Sequence, residues 1–142
     1  MKITRSMFVS LIVMLGVIVG TAVLVEPVSA GITLNTIDPT ATLRGNGHQV
    51  VVTGPIGCDR GETVEIRIVV TQEPTGATAE GSFHGRCSGD VQQWTVHAPT
   101  RNGPTLTAGS ARVDAWAITR AKGELTTIPP HTWWKLVTLV VK

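Results

Sequence analysis

The chain has no tyrosine, only two cysteines, and no methionine after residue 14. Tyrosine-based chemistry and a methionine-rich copper site are therefore excluded from the chain beyond that point. It also has no nucleophile elbow, no glycine-rich phosphate loop and no His-Glu-x-x-His pattern. These gaps argue against an enzyme, and we expect a protein with no catalytic residues and no cofactor.

Charge is sparse as well. Only 15% of the residues are charged and the formal net charge is +2, with the charges scattered singly along the chain. Nucleic-acid binding needs a concentrated positive face, so no nucleic-acid partner is expected. The carboxylates Glu62, Glu65 and Glu80 fall on predicted strands near Arg67 and Arg86. A solvated charge ladder across strands explains them more simply than a catalytic pair does.

The first thirty residues have the pattern of a secretory signal peptide. Lys2 and Arg5 precede an apolar run over residues 7–25, and Val28-Ser29-Ala30 supplies small side chains for a signal peptidase. We expect cleavage after Ala30, a single domain over residues 31–142 and a secreted protein. The alternative is an uncleaved membrane anchor through residues 7–25, because that run is close to membrane-spanning length.

The clearest strand pattern in the chain forms one hairpin. Residues 63–72 alternate apolar and polar side chains, residues 77–86 alternate in the same way, and the turn between them contains Pro74 and Gly76. Pairing Gln72 with Ala77 places Cys87 close to Cys58, so the sequence predicts a disulfide between them. A redox-active pair would need Cys-x-x-Cys spacing at a helix start, and no helix is expected here.

The remaining extended segments predict an all-β domain. With their regular turn signals they indicate a single antiparallel β-sandwich of about seven strands with one disulfide. Gly54-Pro55 is expected to end the strand that begins at Gln49, and residues 88–91 are expected to join two paired strands. An immunoglobulin domain would add a disulfide between its sheets and a tyrosine corner, so the architecture is immunoglobulin-like at most. The segments are 32–37, 40–43, 49–53, 63–72, 77–86, 92–98, 111–119 and 132–141.

Several short pieces give the chain a resemblance to small exported bacterial β-sandwich proteins of unassigned function. The resemblance implies export and an immunoglobulin-like sandwich, and it implies no activity. Such proteins often carry a second cysteine pair near the last two strands, where this chain has Asp114 and Trp134. The pieces are Val-Thr-Gly-Pro-Ile-Gly-Cys58, residues 76–81, 85–89, 93–96 and 117–120, and the strand with Trp133.

Large apolar residues form an unusual pattern on the last two strands. If the small apolar residues of segment 111–119 face the core, then Trp116 and Ile118 face outward. On the final strand Trp134 and Leu136 face outward by the same argument, with Trp133 beside them. Such a strip often marks a ligand or partner surface. The alternative is that residues 124–131, or the lead over residues 32–37, fold across it.

His84 and His97 are a second possible site. On paired neighbouring strands they would lie diagonal to each other on the outer face, and a metal site would need a third ligand such as Glu80. Two solvated histidines are the simpler outcome, and no metal is expected.

These observations favour a protein that works by binding. We expect an exported module that binds a small apolar ligand or a protein partner through Trp116, Ile118, Trp133, Trp134 and Leu136. The alternative is a structural or cell-surface interaction protein in which the same strip is a dimer or envelope contact. A membrane contact is expected only if the signal peptide is left uncleaved.

Overall fold

The computed structural model describes residues 31–73, 75–127 and 129–142; the predicted signal peptide lies outside them. The described residues form nine strands and no helix. No helix in this part of the chain therefore has the length and hydrophobicity that a membrane crossing requires. The strands are β1 (Ile32–Asn35), β2 (Thr40–Arg44), β3 (Gln49–Cys58), β4 (Thr63–Gln72), β5 (Ala77–Arg86), β6 (Val91–Pro99), β7 (Gly109–Ala121), β8 (Glu124–Leu125) and β9 (His131–Val141).

The hairpin of β4 and β5 confirms the clearest sequence prediction. Gln72 pairs with Ala77 at the turn and Thr63 pairs with Arg86 at the open end, so the register is the predicted one. The strands alternate as their sequences do: Val64, Ile66, Ile68 and Val70 of β4 are buried, whereas Arg67 is exposed. One buried face and one polar face is the pattern of a half-buried antiparallel strand.

The strands form one mixed sheet. Hydrogen-bonded neighbours follow the order β1-β3-β2-β9-β7-β4-β5, with β6 on the other edge of β3 and β8 beside the end of β7. The expectation of antiparallel pairing throughout is wrong, because β2 runs parallel to β9 from Thr40–Thr138 to Leu43–Val141. The described residues contain nine strands against about seven predicted, and the one with no counterpart among the predicted extended segments is β8.

One hydrophobic core receives side chains from both ends of this path. Val50 and Val52 of β3, Ile66 and Ile68 of β4 and Trp94 of β6 are all buried in the same cluster. Strand β5, at one end of the path, also lies beside β6, because Ala79 bridges to Thr100 just after β6. Apart from this bridge, β5 and β6 do not pair along their lengths.

Strand β3 continues through Gly54-Pro55, where the sequence analysis expected it to end. Trp94 of β6 explains the glycine: a Cβ at Gly54 would lie 2.8 Å from the indole Cζ2 atom and would collide with the Thr36 carbonyl. Glycine in a strand often marks such a close approach rather than a break. Pro55 sits opposite Gln93 in the ladder with β6, and its carbonyl accepts a hydrogen bond from the Thr36 N–H at 3.3 Å.

The predicted ladder between the strands on either side of residues 88–91 does not form, and a single antiparallel bridge, Ala79–Thr100, joins β5 to the residue after β6. Strand β6 instead pairs with β3 along its whole length, from Gln49–Pro99 to Gly57–Val91. The connection at Ser88-Gly89-Asp90 thus crosses from the β4–β5 hairpin to the far edge of β3. In the ladders that form, His84 lies opposite Glu65 on β4 and His97 lies opposite Val51 on β3.

The predicted disulfide between Cys58 and Cys87 is present, with its Cα atoms 5.4 Å apart. Backbone hydrogen bonds surround it: the Cys87 N–H donates to the Glu62 carbonyl at 2.8 Å, and the Asp59 N–H donates to the Gly31 carbonyl at 3.0 Å. We call these five residues the disulfide corner. It joins the end of β3, the start of β4 and the end of β5 at one end of the molecule.

Candidate functional site

Three neighbouring strands place apolar and charged side chains on one outer surface. On β7, Trp116 lies between Arg67 of β4 and Thr132 of β9. One step along, Asp114 lies between Val69 of β4 and Trp134 of β9. A further step pairs Arg112 with Leu136. We call the resulting surface the tryptophan face; its residues are Arg67, Val69, Arg112, Asp114, Trp116, Trp134 and Leu136.

The apolar members of the tryptophan face are open to solvent. Trp134 is 57% exposed, Leu136 is 61% exposed and Val69 is 38% exposed. Trp116, on the central strand of the three, is half-buried. Single exposed apolar residues are ordinary, but large ones on adjacent strands form a continuous patch of the kind that binds partners.

Each tryptophan carries an arginine over its ring. The Arg112 guanidinium carbon lies 4.5 Å from the Trp134 ring centroid, and that of Arg67 lies 5.7 Å from the Trp116 centroid. Both distances are within the range of a cation–π attraction. At exposed sites such contacts contribute roughly 0.5–1 kcal/mol each, which favours the observed orientation of the two rings.

Each of these arginines is also paired with a carboxylate on its own strand. Arg67 Nε donates to Glu65 Oε1 at 2.7 Å, and Arg112 donates to both oxygens of Asp114 at 2.8–3.0 Å. The hydrogen bond to Asp114 raises the pKa of the Arg112 guanidinium above its ordinary value, and the negative charge adds to that effect while desolvation opposes it. Each arginine of the tryptophan face is therefore paired with a carboxylate, and the two pairs together carry no net charge.

A shallow groove of about 450 Å³ follows the tryptophan face between Val69, Trp116 and Trp134. Its carboxylate, Asp114, is held by Arg112, so it is poorly placed to act as a general base. No group of three or more His, Cys, Asp or Glu side chains in the described ranges is arranged to hold a metal ion. The arrangement is suited to contact with an apolar surface that has a polar rim.

Two of the residues predicted for this surface lie elsewhere. Ile118 is only 5% exposed, and it shares a hollow with the longer side chains of Glu65, His84, Arg86 and Arg120. It pairs with Glu65 beyond the start of β9, so those polar side chains flank it instead of the tryptophans.

Trp133 belongs to the opposite side of β9. It is half-buried, packs against the hydrophobic core and lies 5.6 Å from the His131 ring. Successive side chains of a strand point to opposite faces, so the Trp133 side chain points away from that of Trp134, although Trp133 also borders the groove on the tryptophan face. Of the five predicted residues, the structure brings together Trp116, Trp134 and Leu136.

Neither segment expected to cover the surface does so within the described residues. The connection after β7 folds back on the end of that strand, because the Thr119 N–H donates to Thr127 Oγ1 at 2.9 Å and the Thr126 N–H donates to the Thr119 carbonyl. The N-terminal lead pairs with β3 as β1. Trp134 and Leu136 therefore remain exposed.

The contribution of β4 to this surface was not predicted from the sequence. Its outer series runs Glu65, Arg67, Val69 and Thr71, and Val69 is the only apolar member. That exception was a usable signal. The pairing of β4 with β7 could not be predicted from the sequence. The two strands are separated along the chain by β5, β6 and a long loop, and no local pattern specifies their pairing.

Comparison with protein-family models finds no match to the chain, and comparison with curated proteins finds none either.

Proposed function

We propose that the chain is an exported, non-catalytic binding module whose tryptophan face receives an apolar ligand or a partner protein. The observation that carries the proposal is the joint exposure of Trp134 and Leu136 on neighbouring positions of one outer surface. The geometry suits a protein segment better than an enclosed small molecule, because the groove is open and small-molecule sites bury most of their ligand.

The composition of the tryptophan face supports this reading. Tryptophan and arginine are the residues that most often carry binding energy at protein interfaces, especially when the partner excludes water from them. Arg112 stacks on Trp134 and is neutralised by Asp114, so an apolar partner that covers this surface would not bury an unpaired charge. The rings are pre-oriented, which lowers the entropy lost on binding.

The module is proposed to be an immunoglobulin-like sandwich, as its resemblance to small exported bacterial proteins implies. The strand order supports this. Strands β1, β3 and β6 form one group and β2, β9, β7, β4 and β5 form another, and both contribute one face to the same core. Secretion is part of the same proposal and rests on the signal-peptide pattern of residues 1–30 and on the disulfide. Retention at the membrane through residues 7–25 is the alternative.

A structural role is the second candidate, with the tryptophan face forming a contact between two copies of the chain or with the cell envelope. The breadth of the surface favours it: exposed apolar side chains extend over β4 and β9, as a flat interface requires. This candidate and the binding module use the same residues and differ in the occupant.

Native mass spectrometry of the protein exported by its own host distinguishes the two, because it reports both subunit count and retained ligand. We expect Trp134→Ala to weaken binding about 30-fold or more, as loss of an interface anchor does. The matched control is Val91→Ala on β6, since Val91 is 61% exposed, close to the 57% of Trp134, but lies outside the tryptophan face.

Three outcomes decide between the candidates. Loss of a bound ligand or partner in Trp134→Ala, with the subunit count unchanged and Val91→Ala behaving as wild type, supports the binding module. A shift from dimer to monomer supports the structural role. A Trp134→Ala protein that matches wild type in both properties refutes any function for the tryptophan face.

A further inference from the structure

Glu62, in the disulfide corner, is a buried carboxylate with an unused oxygen. The residue is 7% exposed, and Oε2 has no hydrogen-bond partner among the described residues. The three ion pairs among the described residues join other side chains, so no described cation neutralises the Glu62 carboxylate. Burial of an ionised carboxylate without a partner is strongly unfavourable, and its position therefore needs an explanation.

Gly31 lies directly against that oxygen. A Cβ added to Gly31 would stand 3.1 Å from Glu62 Oε2 and would collide with the Thr119 hydroxyl. Gly31 and Thr119 are themselves buried. The Gly31 carbonyl is fixed by the Asp59 N–H at 3.0 Å, so this residue is held in place beside the carboxylate.

We propose that cleavage of the Ala30–Gly31 bond supplies the missing partner: the new α-ammonium group of Gly31 pairs with Glu62. A signal peptidase hydrolyses this amide with one water molecule. The hydroxyl of the water goes to the Ala30 carbonyl carbon, which leaves as a carboxylate. The amide nitrogen takes up protons and stays on Gly31 as an ammonium group, the main form of an α-amino group at neutral pH.

The geometry allows this only after cleavage. Rotation about the Gly31 Cα–C bond by one tetrahedral step moves the amino nitrogen into the position that a Cβ would occupy. The two bonds from Cα are of similar length, so the nitrogen would come within about 3 Å of Glu62 Oε2, and the Thr119 hydroxyl would have to move back by several tenths of an ångström to reach hydrogen-bond distance from it. The Gly31 carbonyl keeps its hydrogen bond to Asp59 during this rotation. Before cleavage, the same nitrogen is an uncharged amide that must continue into Ala30.

Thr119 supplies a second acceptor for the ammonium group. Its hydroxyl bonds the Thr126 hydroxyl at 2.6 Å, and because a hydroxyl oxygen has two lone pairs it can accept a further hydrogen bond from a group at Gly31. A side chain at residue 31 would fill the space that the ammonium group needs. Glycine is thus required at the first position of the mature chain for a reason separate from peptidase recognition.

The pair would lie within the disulfide corner, where Glu62 also accepts the Cys87 N–H through its carbonyl. Removal of the signal peptide would therefore complete this end of the fold, by an ionic link beside the covalent one. The inference concerns maturation and stability, and it holds whether or not the tryptophan face binds a partner.

The test uses the full chain exported from a bacterial host. Intact mass identifies the first residue of the mature protein. Acylation of its amino groups at neutral pH, in the native and in the reduced, denatured state, is then followed by peptide mass spectrometry. We expect the chain to begin at Gly31 and its α-amino group to react about tenfold or more slowly in the native state, with exposed Lys122 and Lys142 as internal references.

Glu62→Gln removes the charge, and Glu65→Gln is the matched control because Glu65 pairs with Arg67 on the surface. We expect Glu62→Gln to lower Tm by roughly 5–10 °C and to restore acylation of Gly31, with little change in the control. If Glu62→Gln is not exported, the wild-type acylation ratio decides alone. A mature chain that begins elsewhere, an α-amino group as reactive in the native as in the denatured state, or a Glu62→Gln protein with raised Tm overturns the proposal.

Discussion

Removal of the disulfide between Cys58 and Cys87 should destabilise the fold by a predictable amount. The bond closes a loop of 29 residues. In the chain-entropy model a loop of that length stabilises the folded state by about 3.5 kcal/mol at 25 °C, because it restricts the unfolded chain. For a domain of roughly 110 residues this corresponds to a fall in Tm of about 15 °C.

Urea unfolding of wild type and of the Cys58→Ala/Cys87→Ala double variant measures this difference. Both cysteines are 2% exposed, so alanine avoids the buried hydroxyls that serine would introduce. We expect the midpoint to fall and the m-value to rise slightly, because the unfolded variant is less compact. Tryptophan fluorescence should be unchanged at low urea, since none of the four tryptophans belongs to the disulfide corner.

Two results would refute this reasoning. A change in the free energy of unfolding below about 1 kcal/mol would mean that the unfolded chain is already restricted at this loop without the bond. Loss of the native fold at 25 °C without urea would mean that the disulfide corner organises the core rather than tying off one end of it. Reduction of the wild-type protein with a thiol must give the same direction as the double variant.

Two further substitutions test the internal contacts. Gln72 is buried and its side chain makes four hydrogen bonds to residues 107 and 110. Gln72→Ala should therefore lower the free energy of unfolding, measured in urea, by about 2–3 kcal/mol. The control is Gln93→Ala, which should lower it by less than about 1 kcal/mol because Gln93 is exposed and makes one side-chain hydrogen bond. Gly54→Ala should lower the free energy of unfolding by about 2 kcal/mol or more, because the new methyl group meets the indole ring of Trp94. The same contact should change the near-ultraviolet circular dichroism. A stability equal to wild type would contradict the close approach of Gly54 to Trp94.

Local patterns predicted the hairpin of β4 and β5 down to its register. Alternation over ten residues in each strand and a short turn leave one way to bury Ile66 and Ile68 together. The disulfide followed from the same register, because Cys87 comes one residue after Arg86 and so returns to the start of β4. Strand alternation and turn length are local features, so they can be predicted from the sequence alone.

Long-range pairing was not predictable in the same way. Nothing local indicates that β6 joins β3 rather than β5, or that β2 lies parallel to β9. Proline at residue 55 suggested an end to β3, whereas the strand continues and Gly54 makes room for Trp94. On the tryptophan face the sequence separated Trp134 from the core correctly by alternation. It misplaced Ile118, since burial there depends on side chains of neighbouring strands.

The parallel pairing of β2 with β9 has a mechanical consequence. The chain enters this ladder at Thr40 and leaves it at Val141, and these residues lie at opposite ends of the paired segment. Tension between Thr40 and Lys142 therefore pulls the two strands along their lengths in opposite directions. Every hydrogen bond of the ladder carries that load at once, instead of opening one after another from an end. The force needed to separate β2 from β9 should therefore be greatest when the pull runs along the two strands.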